Sequence, residues 1–113
     1  MNIETVRLYC LGKPDVTESF PFDDTTLVFK VRNKMFALLN LEGTPSVNLK
    51  CDPEKAQELR EHYPCVLPGY HMNKKHWNTV LLDQTVEDAL IRSWIDDSYA
   101  LVTSKLPKLS KKK

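Results

Sequence analysis

The sequence predicts a two-layer α+β domain, in which an antiparallel sheet carries helices on one face. Runs of β-branched and aromatic residues are separated by turn residues, as in hairpins. Helix start signals stand before and after these runs. The length of 113 residues, with 42% hydrophobic and 27% charged residues, suits one soluble domain. The predicted order of elements is α-β(3)-α-β(2)-α.

The first predicted element is a short helix, which Asn2 caps and which runs to about Leu11. Apolar residues recur along it at helical spacing. Gly12 and Pro14 end the helix. The stretch that follows is rich in acids and interrupted by proline, so it predicts an extended segment with a short edge strand over 17–20.

Three strands follow, over 27–32, 35–40 and 46–51. Asn33 lies where the first hairpin must turn, and Asn tolerates the positive φ that such turns require. In the first and third strands apolar residues alternate with polar ones. This alternation is typical of an antiparallel sheet with one face under helices and the other facing water or a partner.

The second half begins with a strong helix start. Asp52 supplies a capping carboxylate, Pro53 occupies the first helical position, and Pro64 ends the helix. A strand over 70–73 and a clearer one over 77–82 then predict a second hairpin.

The last predicted helix is the longest. Thr85 and Asp88 form a predicted capping box at its start, and the helix ends near Lys105 and Pro107. Residues 1–107 are therefore expected to form a single domain, and residues 108–113 a basic flexible tail.

Charge and hydropathy exclude several classes of protein. The formal net charge is +1, but five lysines lie in residues 105–113, so residues 1–104 carry a net charge of −4. The domain is therefore not strongly basic overall, and any nucleic-acid contact must use a local patch. No apolar run approaches the ~20 residues of a membrane span, and the start lacks the features of a signal peptide. We expect a cytoplasmic monomer without membrane contact.

The sequence offers no convincing catalytic or metal-binding constellation. Cys10, Cys51 and Cys65 are odd in number, which predicts buried, reduced thiols. The intervals between Cys65, His71 and His76 match no standard zinc site, and the three glycines lie too far apart for a phosphate loop. The paired acids of the last helix flank its apolar stripe, which indicates a solvated face. We expect no metal, no cofactor and no enzymatic activity.

The stretch 68–80, PGYHMNKKHWNTV, combines basic and aromatic residues and contains no acid. Exposed aromatic area usually serves packing or contact, and basic side chains on the predicted sheet add to a surface that suits phosphates. The candidate nucleic-acid-binding residues are Lys30, Arg32, Lys34, Lys50, His71, Lys74, Lys75, His76 and Trp77. Two plainer interpretations stay open: the aromatics pin the hairpin to the core, and the lysines keep an open sheet face soluble.

Three segments, LVFKVRNKMFALL, SVNLKCDPEKAQELREHYP and PGYHMNKKHWNTVLLD, resemble the MmcQ/YjbR family of small, mostly bacterial cytoplasmic proteins. The resemblance spans residues 2–107. It implies a secretion-chaperone-like α+β fold and, by likeness to a double-winged module, a DNA-binding role. It carries over no catalytic residues.

These observations lead to one main hypothesis and two rivals. The main hypothesis is a non-enzymatic protein that binds DNA through the basic and aromatic surface. The alternative is a protein-protein adaptor or chaperone-like module that uses the same open face. The third is a small-molecule or enzymatic site in a pocket lined by Tyr70, His71, His76 and Trp77.

Overall fold

The computed structural model describes residues 1–69 and 72–104. The predicted α+β class is confirmed, and the predicted edge strand before the first hairpin is present. The elements are α1 (Ile3–Leu11), β1 (Val16–Ser19), β2 (Thr26–Val31), β3 (Lys34–Asn40), β4 (Ser46–Lys50), α2 (Pro53–His62), β5 (Val66–Pro68), β6 (Trp77–Leu81) and α3 (Asp88–Thr103).

The six strands form one sheet in the order β1-β2-β3-β4-β6-β5. Every neighbouring pair is antiparallel. The chain passes through α2 and β5 before β6 pairs with β4, so β5 occupies the outer edge. No helix in the described part of the chain is long and apolar enough to cross a bilayer.

The helices pack on one face of the sheet, and the main core lies between the two layers. Alternate strand residues fill it, because successive side chains of a strand point to opposite faces. α3 is the most buried helix and lies over β3 and β4. The largest fully buried side chains of this core are Phe29, Phe36, Leu39, Ile91 and Ile95.

A tight turn joins β2 to β3. Arg32 and Asn33 adopt φ values of 51° and 72°, which is the left-handed pair of a two-residue hairpin turn. Asn33 was predicted to turn here, whereas Arg32 was placed on the strand and belongs to the turn.

A β-bulge interrupts the pairing of β2 with β3. Phe29 pairs with Ala37 and Lys30 with Met35, so Phe36 is an extra residue on β3. Phe36 and Ala37 are consequently both buried in the main core, although they are adjacent in the chain. Met35 shifts to the opposite face of the sheet.

The strand predicted to pair with β6 was placed over 70–73; residues 70 and 71 lie outside the described residues, and Met72 and Asn73 are not in a strand. The partner is β5, with Val66 opposite Val80 and Pro68 opposite Asn78. Met72 and Asn73 lie in a turn, because the Asn73 carbonyl accepts hydrogen bonds from the backbone N–H groups of His76 and Trp77.

The predicted capping box of the last helix is also wrong. α3 begins after Glu87, which makes no side-chain capping bond. Thr85 is held by Asp83 instead: its backbone N–H and its hydroxyl donate to Asp83 Oδ1 at 3.1 and 2.6 Å. This local turn competes with the cap. The predicted tail, residues 108–113, lies outside the described residues.

Candidate nucleic-acid interface on the open face

The side of the sheet away from the helices, called the open face below, carries an apolar cluster of its own. Val28, Leu38 and Trp77 are buried there, and Met35 and Met72 pack against them. The sequence predicted a polar open face, but the centre of this face is apolar. Cross-strand contacts among these side chains stabilise the sheet from outside the main core.

Two of the predicted lysines lie in one row of the open face. Lys30 pairs with Met35 of β3, and Lys50 pairs with Trp77 of β6. Alternation along the strands puts both lysines on the same side as Trp77. Because β2 and β4 are two strand spacings apart, the two backbones lie about 10 Å apart.

The other predicted basic residues that the structure describes lie at the same end of the sheet. β2 and β4 end where β3 and β6 begin, since each neighbouring pair is antiparallel. That end therefore contains the β2–β3 turn and the loop that enters β6. We call it the basic end; it comprises Lys30, Arg32, Lys34, Lys50, Lys74 and Lys75.

The loop with Lys74 and Lys75 is held by α2. Arg60 Nη1 donates hydrogen bonds to the Lys74 carbonyl at 2.7 Å and to Asn78 Oδ1 at 3.2 Å. Lys74 Nζ donates to the Gly69 carbonyl at 3.2 Å. These contacts fix the backbone that presents the two exposed lysines.

The lysines of the basic end are not neutralised by acids in the described residues. The ion pairs in this part of the chain are Met1–Asp88, Arg7–Glu18, Lys13–Asp96 and Lys55–Asp97. All of them tie α1, α2 or α3 to other elements or to the chain start. The acids of α3 thus serve as partners for cations of the helical layer.

The aromatic part of the predicted site differs from the basic part. Trp77 is only 8% exposed, because its ring belongs to the apolar cluster. His76 is partly exposed and continues the β4–β6 ladder through its carbonyl, which accepts from Cys51 N–H at 2.7 Å. His71, like Tyr70, lies outside the described residues.

A groove of about 620 Å³ lies on the open face beside the apolar cluster. It runs from the loop between β1 and β2 towards Met72, and neither His76 nor Trp77 lines it. The sequence interpretation missed this groove, although the exposed aromatics around Pro21 and the polar side of β4 are signals for it. Its lining includes Phe22, Asp23, Leu38, Asn40, Asn48 and Met72.

Two polar groups define the chemistry of the groove. The Asp23 carboxylate accepts hydrogen bonds from the backbone N–H groups of Thr25 and Thr26, which lower the pKa of Asp23. Asn48 Oδ1 accepts the hydroxyl of Thr79. Asn48 Nδ2 has no hydrogen-bond partner among the described residues and can donate to a ligand.

The thiols offer little chemistry. Cys10, Cys51 and Cys65 are free and buried, as predicted. Burial raises the pKa of Cys10 to about 12 and also raises the pKa of Cys51. Such thiols stay protonated near neutral pH and are poor nucleophiles. Within the described ranges, no group of three or more His, Cys, Asp or Glu side chains is placed to hold a metal ion.

Comparison with known proteins gives consistent relatives. A family model described as YjbR matches residues 11–101. The uncharacterised protein YbdF of Escherichia coli O157:H7 is 41% identical over 111 residues, which cover 97% of this chain and 91% of YbdF. The uncharacterised protein YjbR of Escherichia coli K12 is 36% identical over 113 residues, covering 99% and 96% of the two chains.

Solved structures agree with the fold. A crystal structure of a Deinococcus radiodurans protein with a DUF419 domain has a TM-score of 0.89 and 44% identity, covering 95% of this chain and 83% of that one. A crystal structure of a Pseudomonas syringae protein has a TM-score of 0.80 and 32% identity, covering 90% and 99%.

Proposed function

This chain belongs to the YjbR family, and from its surface we propose that it is a non-enzymatic nucleic-acid-binding protein. One observation carries the proposal: Lys30, Lys50 and the two basic loops meet at one end of one sheet. Clustered lysines release counterions when they neutralise phosphates, which gives affinity without sequence readout. Asp15 and Asp52 flank the same end, so we expect modest affinity.

A non-enzymatic role is part of the proposal. It is supported by the burial of the three thiols and by the ion pairs that engage Asp88, Asp96 and Asp97. General acid or base catalysis uses groups that can reach a substrate in a cleft. These acids instead connect elements of the helical layer.

The proposal is tested by binding of a fluorescent 20-base-pair DNA at 50 and 200 mM salt. The protein is used at full length, so that its fold is unchanged. Its tail lysines are replaced by Gln, so that the tail does not contribute to binding; these are Lys108, Lys111, Lys112 and Lys113. We expect affinity to fall steeply with salt, and Lys74→Glu/Lys75→Glu to weaken binding roughly tenfold or more at low salt.

The matched control is Lys55→Glu/Arg92→Glu, which makes the same charge change on the helical layer. It should weaken binding much less than the loop variant, since Lys55 and Arg92 belong to the helical layer and are not among the residues of the basic end. Equal affinity of the loop variant and the parent would contradict the proposal.

A protein-protein adaptor is the second candidate, and the apolar lining of the groove favours it. Methionine side chains such as Met35 and Met72 adapt to varied partners. An adaptor would bind its protein partner with little salt dependence and would not show the steep, salt-dependent binding of the DNA probe, so the DNA assay separates the candidates.

A further inference from the structure

The groove on the open face has the dimensions and lining of a site for a flat polar ring. Its volume of about 620 Å³ lies within the range of roughly 300–1,000 Å³ for small-ligand sites. Leu38 and Met35 supply an apolar floor, and Phe22 at the rim is 63% exposed. An unpaired nucleobase has a π-face for Phe22 and polar edges for Asn48 Nδ2.

Charge orients such a ligand. Asp23 lies before β2 at one end of the groove, and Lys30 lies at the basic end, four residues after Thr26, the first residue of β2. Four residues of strand span about 13 Å, which is comparable with one or two nucleotides. Phosphates are attracted by the lysines and repelled by Asp23. A single strand of nucleic acid would therefore place its phosphates at the basic end and direct a base into the groove.

A duplex cannot use this recess. Its bases are stacked and paired, and a protein reads them by inserting a helix or a ribbon into a groove of the nucleic acid. Here the recess is in the protein, so the nucleic acid must supply the protruding group. Unstacked bases of single strands do so, as on other sheet surfaces where aromatic side chains accept bases.

Resting on the proposed function, we infer that the nucleic acid recognised is single-stranded, with an unpaired base in the groove and its phosphates at the basic end. Phe22 is the stacking residue of this site, and Asn48 contacts the base edge. Phe22 is the exposed aromatic among the described residues that line the groove, whereas Trp77 forms part of the supporting cluster.

The experiment compares a labelled 12-nucleotide single strand, the 12-base-pair duplex of the same sequence, and a mononucleotide, with the full-length protein carrying Gln at its four tail lysines. We expect the single strand to bind at least tenfold more tightly than the other two. Phe22→Ala should weaken single-strand binding about tenfold and leave duplex binding unchanged, since stacking on one aromatic contributes that much.

Phe20→Ala is the matched control, because Phe20 is 48% exposed on the same loop and does not line the groove. Equal effects of Phe22→Ala and Phe20→Ala, or tighter binding of the duplex, would overturn the inference while leaving the proposed function in place. Equal affinity for the mononucleotide would reassign the groove to a free nucleotide. Absence of binding to both strand forms at 50 mM salt would refute both proposals.

Sedimentation of the protein without nucleic acid tests another occupant of the groove. We expect a monomer for the parent and for Phe22→Ala. A dimer that Phe22→Ala dissociates would assign the open face to a second copy of the chain and overturn the inference.

Discussion

The hydroxyl of Ser98 in α3 donates a 2.6 Å hydrogen bond to the carbonyl of Phe36, the bulged residue of β3. The same hydroxyl accepts a 2.8 Å hydrogen bond from the backbone N–H of Lys50. The β3–β4 ladder stops at the pair Ala37 and Leu49, so these two backbone groups have no partner in the sheet. Ser98 thus replaces, beside the bulge, the hydrogen bonds that these two groups lack within the sheet.

Ser98→Ala should destabilise the protein by about 1–3 kcal/mol, because it leaves a buried carbonyl and a partly buried N–H without partners. Denaturant unfolding followed by circular dichroism measures this change. Ser93→Ala is the control: Ser93 is exposed and bonds only the Leu90 carbonyl of its own helix. Equal losses for the two variants would show that the bridge contributes nothing.

Asp96 should make the protein less stable in acid. Partial burial alone would raise its pKa, but hydrogen bonds from Lys13 Nζ and the Tyr9 hydroxyl, at 2.5 and 2.7 Å, outweigh burial and lower the pKa of Asp96. A lowered pKa stabilises the fold above the unfolded value near 3.9, and the stabilisation is lost as pH falls through the folded value.

The test is the difference in unfolding free energy between the parent and Asp96→Asn at pH 7 and pH 3. We expect the parent to be more stable at pH 7 by up to about 1 kcal/mol, since the carboxylate is half-exposed, and the difference to shrink at pH 3. Lys13→Met should also reduce the pH dependence. A difference that is constant with pH would contradict the assignment.

The three thiols should be unreactive in the folded protein. All three are buried and therefore inaccessible, and burial raises the pKa of Cys10 to about 12 and also raises the pKa of Cys51. With a thiol-specific disulfide reagent at pH 8, we expect slow reaction of the native protein and rapid reaction of all three thiols in denaturant. Rapid modification of a native thiol would show that a region around it opens readily.

Gly69→Ala should distort the entry to β6. A Cβ at this position would lie 2.8 Å from Trp77 Cβ and 2.9 Å from the Trp77 carbonyl oxygen. We expect a loss of about 1–3 kcal/mol of stability and a shift in tryptophan emission, because overpacking moves Trp77. Gly12→Ala, whose nearest contact would be 3.4 Å, should change stability little.

Arg60 should control the order of the loop before β6. Arg60→Met removes the hydrogen bonds to the Lys74 carbonyl and to Asn78. We expect trypsin to cleave after Lys74 or Lys75 several times faster, since local opening governs such cleavage. Gln57→Met, an exposed position on the same helix, is the control. Unchanged cleavage in Arg60→Met would mean that other contacts hold the loop.

Local chemistry explains which features the sequence could predict. Asn33 and the pair Asp52–Pro53 act through their own backbone geometry, so the turn and the start of α2 are predictable. β5 has three residues, two of them exposed, and it exists because Val80 lies beside Val66. Such pairing depends on tertiary contacts, which no local pattern reports.

In the candidate site, too, features set by local patterns were predicted and features set by tertiary contacts were missed. Strand alternation correctly assigned Ser46, Asn48 and Lys50 to one side of β4, and the predicted basic residues within the described part lie at one end. Phe22 was missed because its position beside the groove depends on the pairing of β1 with β2, which no local pattern reports. Trp77 was expected to be exposed, but its ring is buried in the cluster with Val28 and Leu38.

The extra residue at Phe36 also constrains how sequences of this fold can change length. Deleting Phe36 would make the pairing of β2 with β3 regular and leave Met35 opposite Lys30 on the open face, but it would remove a fully buried side chain from the main core. Insertions and deletions near position 36 are therefore expected to be selected against far more strongly than at Gly43, where the chain turns in open solvent. Both the extra position in β3 and a large apolar side chain at it should therefore persist among related sequences.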